Sequence, residues 1–317
     1  MVAERPQRVA NDLLQRCPGV ALSARGAQGR LDSTAQDRQP WQVGRATPEA
    51  EVVADAVGSG DGVADRRVEI AMDGVRAPSD GRWPAAKVAT ILVRRLEAPG
   101  EEPTLGAVLA RRDVGVLGAA EALAVRLQQV IRQAGWEHLP MGERLGDGAH
   151  GIWTVADTSG PGGRQPLDDD HRSAHLDAFA HLHSANHPTG AKAWVDQNMG
   201  ALLMDRVGEV LRALKRLRPW PKAVHDALAQ LIGDVERNRT RIRDQEPWDA
   251  GRAVGSGAVE GGCTQVMQRR FQRAGLRWKP PGVLNILALR RARLNGTFQA
   301  VWASRGLAVQ DSGYPTQ

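Results

Sequence analysis

Three acids in this chain stand in glycine-punctuated settings: Asp73 in MDG, Asp147 in GDGA and Glu260 in GSGAVEGGC. Carboxylates converging from separate elements are the hard oxygen ligands that Mg²⁺ prefers. A pair of such ions can activate a water or a 3′-hydroxyl while stabilising a leaving oxygen. That is phosphoryl-transfer chemistry. Taken singly, each acid reads first as a solvated turn residue, so the set depends on its context.

A second group competes for attention. Five of the eight histidines fall within 171–187, and His171 and His175 are spaced i, i+4, so both could share a metal on one helical face with Asp168 nearby. The zinc-protease pattern HEXXH is absent, because Arg172 stands where the general-base Glu would be. Asp168, His171 and His175 therefore read first as structural residues or as support behind metal ligands. A zinc hydrolase built on them is the alternative.

Other familiar signals fail. The glycines of GSGAVEGG do not have G-x-G-x-x-G spacing, and there is no G-x-x-x-x-G-K-[ST] loop and no G-x-S-x-G elbow. Two cysteines, Cys17 and Cys263, make neither a disulfide framework nor a four-cysteine zinc ribbon. The N-terminal segment is polar, and the most apolar stretch, Val114 to Val125, is too short to span a bilayer. The expectation is a cytoplasmic protein with no membrane partner.

The elements that must position the acids are partly legible. Residues 1–66 show no sustained period and read as a weakly ordered arm. Val68, Ile70 and Met72 alternate with Glu69 and Ala71, which predicts a short strand ending at Asp73; KVATILVRRL predicts a second. From Thr104 to Gly135 the spacing of Leu105, Val108, Leu109, Leu123, Leu127 and Val130 predicts two helices, broken near Gly115 and Gly118. HLPMGERLG, which leads into Asp147, is polar for a buried strand, and DTSGPGGRQP reads as loop. Helical patterns follow over 173–183, 191–217, 223–243, 258–274 and 283–294.

Charge is unevenly placed. The 317 residues hold 42 Lys+Arg and 36 Asp+Glu, a net +6. The segment from Arg206 to Arg305 alone has 20 basic and 8 acidic residues, a net +12 that the rest of the chain offsets. Such a segment is either a polyanion footprint or a solvated arginine-rich surface.

The blocks MDGVRAP, LGDGAHGIW, LDDDHRSAHL and above all VGSGAVEGGCTQVMQRRFQRAGLRW followed by NILALRRARLNG resemble the DDE transposases of ISKra-type bacterial insertion sequences. The resemblance covers roughly residues 67–302. It implies an α/β fold: a ribonuclease-H-like mixed sheet in two parts (67–160 and 251–305), a mostly helical insertion (161–250) and a tail (306–317). It also implies that Asp73, Asp147 and Glu260 bind two Mg²⁺ ions, with Mn²⁺ as a substitute. The implied activity is DNA cleavage and strand transfer, by a dimer or larger assembly, on insertion-sequence ends and target DNA. Arg237, Arg239, Arg241 and Arg243 before the third acid, and Arg269, Arg270, Arg273, Arg277 and Lys279 after it, are the candidate phosphate contacts. The rival within this family is a decayed copy that binds DNA without cutting it.

Overall fold

The computed structural model describes residues 65–76, 85–95, 106–160, 162–184, 188–219, 221–243, 261–263, 266–267, 271 and 280–297. A four-stranded mixed sheet lies at its centre, in the order β3-β2-β1-β4. Strands β1 (Arg66–Arg76), β2 (Ala85–Arg95) and β3 (Val108–Leu117) form an antiparallel meander, and β4 (Met141–Gly146) joins β1 in parallel.

The alternation in β1 sorts its side chains onto two cores, because successive residues of a strand point to opposite faces. Val68, Ile70 and Met72 enter a large cluster with Ala89, Ile91 and Val93 of β2; Ala71 and Val75 enter a second with Ala86 and Val88. A sheet covered on both sides reads as nearly continuous hydrophobic sequence, as KVATILV does. The first face is covered by α1 (Ala120–Gln133) and α2 (His150–Thr158), whose apolar stripes supply Leu123, Leu127, Ile152 and Val155. The second is covered by α7 (Pro280–Leu294) and by Cys263, Val266, Met267 and Phe271. The intervening helices are α3 (Asp169–His183), α4 (Pro188–Leu203), α5 (Val207–Arg216) and α6 (Lys222–Arg237). They pack in neighbouring pairs, with α6 returning against α3.

Several expectations need correction. The predicted helix pair over 104–135 is one strand and one helix: β3 pairs with β2 from Ala86↔Leu117 to Arg94↔Val108, and only Ala120–Gln133 is helical. Hydrogen bonding to β2 decides β3, and Asp113, which a helix would leave on a solvated face, is buried there against Thr90. β1 runs past Asp73 to Arg76, because its pairing with β2 continues to Arg76↔Ala85. The pattern over 191–217 is two helices with a turn between them, where Asp205 adopts a left-handed φ of 57°.

The polar strand before Asp147 does form. Glu143 and Arg144 are buried within β4, and Arg144 reaches across the outer side of the strand, donating to the carbonyls of Ala156 (2.6 Å), Gly160 (2.7 Å) and Gly162. The loop expected over 157–166 begins as the end of α2. Beyond it the chain returns beside β4 through two parallel bridges only, Glu143↔Arg164 and Gly146↔Leu167. Most of the C-terminal signature block, and residues 1–64 of the proposed arm, lie outside the described residues.

Candidate functional site

The parallel register of β1 and β4 brings the first two acids together. Ala71 pairs with Leu145 and Met72 with Gly146, on strands about 4.8 Å apart, so Asp73 within β1 and Asp147 just past the end of β4 come to the same level. Ala71 and Leu145 share one core cluster, and the two aspartates follow two residues further along the chain from each.

The GDG turn is shaped by what surrounds it. Asp147 Oδ1 accepts a hydrogen bond from the Ala149 N–H (3.0 Å), closing a local turn just before α2. Gly148 takes a φ of +80°, which favours glycine, and a Cβ there would lie 3.0 Å from Leu167, 3.2 Å from Asn238 Nδ2 and 3.7 Å from His171 Nε2. Of these three residues, His171 belongs to the second group singled out in the sequence.

Asp73 is the more perturbed acid. Burial pushes its carboxyl above the usual aspartate range; the Cys263 thiol, donating at 3.3 Å, pulls it back, while the charges of Asp147 and Asp168 push it up further. Burial, together with the charge and hydrogen bonding of Asp73, pushes the Cys263 thiol far up, so it remains a neutral donor. Lys87, opposite Gly74 in the β1–β2 pairing, completes the surroundings. A Cβ on Gly74 would lie 2.9 Å from Lys87 Nζ and 3.5 Å from Asp147 Oδ2, so ammonium and carboxylate share the space over Gly74.

Asp168 arrives by the last bridge. Its N–H donates to the Gly146 carbonyl (3.0 Å), its side chain is buried, and its charge reaches both Asp73 and His171. Three aspartates therefore face one end of the sheet. Glu260 lies outside the described residues; Cys263, three residues further along the chain, is the group that touches Asp73.

The histidines do come together, but with a different acid. His171 and His175 stand one helical turn apart on α3 with ring centroids 4.1 Å from each other. His175 Nδ1 lies 3.3 Å from Asp234 Oδ2 on α6, and the metal-ligating atoms of His171, His175 and Asp234 all fall within 4.8 Å of one another. Asp234, not Asp168, is the carboxylate of this group. Burial and the neighbouring His175 charge lower the His171 pKa. The Asp234 hydrogen bond raises that of His175 despite burial. Burial works against the charged form of Asp234, but His175 and then His171 outweigh it and hold its carboxyl low.

The candidate phosphate contacts divide. Arg239 and Arg243 are exposed. Arg237 is exposed but bonded to Asp234 Oδ1 (3.2 Å), and Arg241 is half-buried with its guanidinium 4.4 Å from the Trp153 ring centroid. Arg241, four residues past the end of α6, thus packs on Trp153 of α2. Arg269, Arg270, Arg273, Arg277 and Lys279 lie outside the described residues.

Sequence reasoning missed Lys87, Asp234, Asn238 and the role of Cys263. Only the C inside the signature block carried a signal for any of them. No family model and no curated protein matches this chain.

Proposed function

We propose that this chain is a DDE-type polynucleotidyl transferase with a ribonuclease-H-like core, cutting and joining insertion-sequence DNA. The observation that carries the reading is the parallel β1–β4 register, which sets Asp73 and Asp147 side by side at one sheet end. The mixed sheet, with its antiparallel meander and parallel fourth strand, fits that core. The site also fits a divalent cation: Asp73 is half-buried, its proton affinity is raised by its surroundings, and Asp147 and Asp168 add negative charge that a cation would neutralise.

Asp73 and Asp147 are the ligands from the sheet, and Glu260 is the ligand from the C-terminal segment. Three residues of chain span at most about 11 Å, so the Cys263 contact at Asp73 keeps Glu260 within reach of the same place. Two Mg²⁺ ions held there supply an activated water or 3′-hydroxyl and stabilise the leaving oxygen. The chain's own groups do the positioning. The Ala149 N–H fixes one Asp147 oxygen and leaves the other open toward Gly74. The Cys263 thiol fixes Asp73 Oδ2, and its neutral state avoids adding a further negative charge to those of the aspartates. Lys87 and the exposed Arg239 and Arg243 supply positive charge for a DNA backbone.

The test is a nicking assay on supercoiled DNA with Mg²⁺. The wild type should nick, whereas Asp73→Asn, Asp147→Asn and Glu260→Gln should each lose at least about 10³-fold in rate while still binding DNA. Salt-dependent DNA binding with no Mg²⁺-dependent nicking would overturn the enzyme in favour of a DNA-binding relative. Unchanged nicking in Asp73→Asn would overturn the site.

A further inference from the structure

The group on α3 and α6 has its own chemistry. Imidazole nitrogens suit zinc-class cations, whereas Mg²⁺ takes hard oxygens, so His171, His175 and Asp234 select against the ion that the sheet aspartates favour. In a tetrahedral site with bonds of about 2.0–2.1 Å, neighbouring ligand atoms stand roughly 3.3–3.5 Å apart. The His175 Nδ1–Asp234 Oδ2 separation is 3.3 Å, and the widest separation of the three is no more than 4.8 Å. A small side-chain rotation closes that gap.

The carboxylate is also held as a ligand should be. Asp234 Oδ1 takes the donors, Arg237 Nη2 at 3.2 Å and Asn238 Nδ2 at 3.4 Å, and Oδ2 is directed to His175. Asn238 is in turn fixed by Trp153 Nε1, which donates to its Oδ1 (3.3 Å), and by its own bond to the Asp234 carbonyl (3.1 Å). Such outer partners orient metal ligands and set their basicity. Asp234 and Asn238 are nearly fully buried, while His171 and His175 are half-buried, so the cluster is backed by protein and open on the histidine side.

We infer that His171, His175 and Asp234 form a binding site for one zinc-class divalent cation, tying α3 to α6 and leaving a fourth position for a solvent or phosphate oxygen. Binding replaces the His175–Asp234 hydrogen bond by two metal bonds, and the proton held between those two groups leaves to solvent. The nearby charges of Asp147 and Asp168 favour the cation, and Arg237 opposes it from the far side of Asp234. This site stands apart from the Mg²⁺ reading, since it shares no ligand with Asp73, Asp147 or Glu260.

The test is metal analysis and Co²⁺ spectroscopy on the full chain, freed of metal and reloaded. The wild type should retain about one Zn²⁺ per chain through gel filtration in excess Mg²⁺, and Co²⁺ should give the intense visible absorption of a four-coordinate site. His175→Ala and Asp234→Asn should weaken Zn²⁺ binding by about a hundredfold or more, whereas Asp73→Asn/Asp147→Asn, which removes a nearby charge but no ligand, should weaken it far less and leave the ion bound. Failure of the wild type to hold Zn²⁺, or a weak six-coordinate Co²⁺ spectrum, overturns the site without any variant having to fold. Zn²⁺ retention that survives in folded His175→Ala and Asp234→Asn, or that is lost with the two sheet aspartates, overturns the assignment of ligands.

Discussion

Gly262→Ala probes the contact that brings the C-terminal segment onto the sheet. A Cβ at Gly262 would overlap Thr90 Oγ1, closer than real Cβ atoms come, and would lie 3.2 Å from Asp113 Oδ1. Thr90 and Asp113 are almost completely buried and joined by a 2.7 Å hydrogen bond, and Arg111 braces the same carboxylate through two bonds of 2.9 and 3.1 Å. Thr90 is β-branched in a central strand and cannot turn away without breaking its bond to Asp113. Overpacking costs about 1–3 kcal/mol. Losing a hydrogen bond to a charged acceptor costs about 1.5–3 kcal/mol, and alanine returns about 1 kcal/mol of helix propensity. The net destabilisation is then about 1.5–5 kcal/mol, or a fall in Tm of roughly 3–20 °C for a domain of this size. Thr90→Ala should vacate the space, so thermal unfolding of both singles and the double should show a favourable coupling of about 1–3 kcal/mol. Nicking should fall in Gly262→Ala and recover in the double, because Gly262 stands two residues after Glu260. Additivity within about 0.5 kcal/mol would refute the close approach.

Other perturbations separate charge from packing. The raised pKa of Asp73 means that its protonated form stabilises the metal-free fold below the ordinary aspartate range and that this contribution disappears as pH rises through the raised value. Asp73→Asn should therefore raise the metal-free Tm at pH 8 more than at pH 4, and should abolish any further rise with Mg²⁺. In the pair His175–Asp234, the histidine contribution is lost as pH rises through its raised value, and the aspartate contribution as pH falls through its lowered one. Asp234→Asn should thus cost about 1 kcal/mol in the metal-free protein at pH 5–6 and less at pH 9, read from denaturant midpoints. Replacing Arg239 and Arg243 together by Ala should lower the magnitude of the salt slope of DNA binding by about 2 with no loss of stability. Arg241→Ala should instead cost about 0.5–2 kcal/mol of stability, seen as a lower Tm, through its lost stacking on Trp153.

The parts legible in the sequence were those with one dominant period or strong punctuation. Val68, Ile70 and Met72 gave β1, KVATILV gave β2, and the apolar spacing in α3, α6 and α7 held. The β3 segment VLARRDVGVL misled because its outer half is polar and its apolar residues also fit a helical spacing; only the partner strand decides between the two. In β4, Glu143 and Arg144 hid a buried strand, since the carbonyls that Arg144 satisfies come from the last turn of α2 and the residues just after it. At the site, Asp73 and Asp147 were marked by their glycines. Asp234 and Lys87 were not marked, because their importance is a matter of tertiary distance: α6 must fold back on α3, and β2 must pair with β1, before either is near the acids.

The connectivity of the sheet also orders events in time. The meander β1–β2–β3 is closed by local contacts, so it can form as soon as its residues exist. Asp147 reaches Asp73 only after the crossover through β2, β3 and α1 is complete, and Cys263 arrives from 190 residues away. Loop closure of that length is the slow step. During synthesis from the N-terminus, the scaffold therefore precedes the pairing of Asp73 with Asp147, and the Cys263 contact follows only after most of the chain has emerged. On the proposed function, a centre assembled last would keep the nascent chain chemically silent while it is still held beside the nucleic acids that made it.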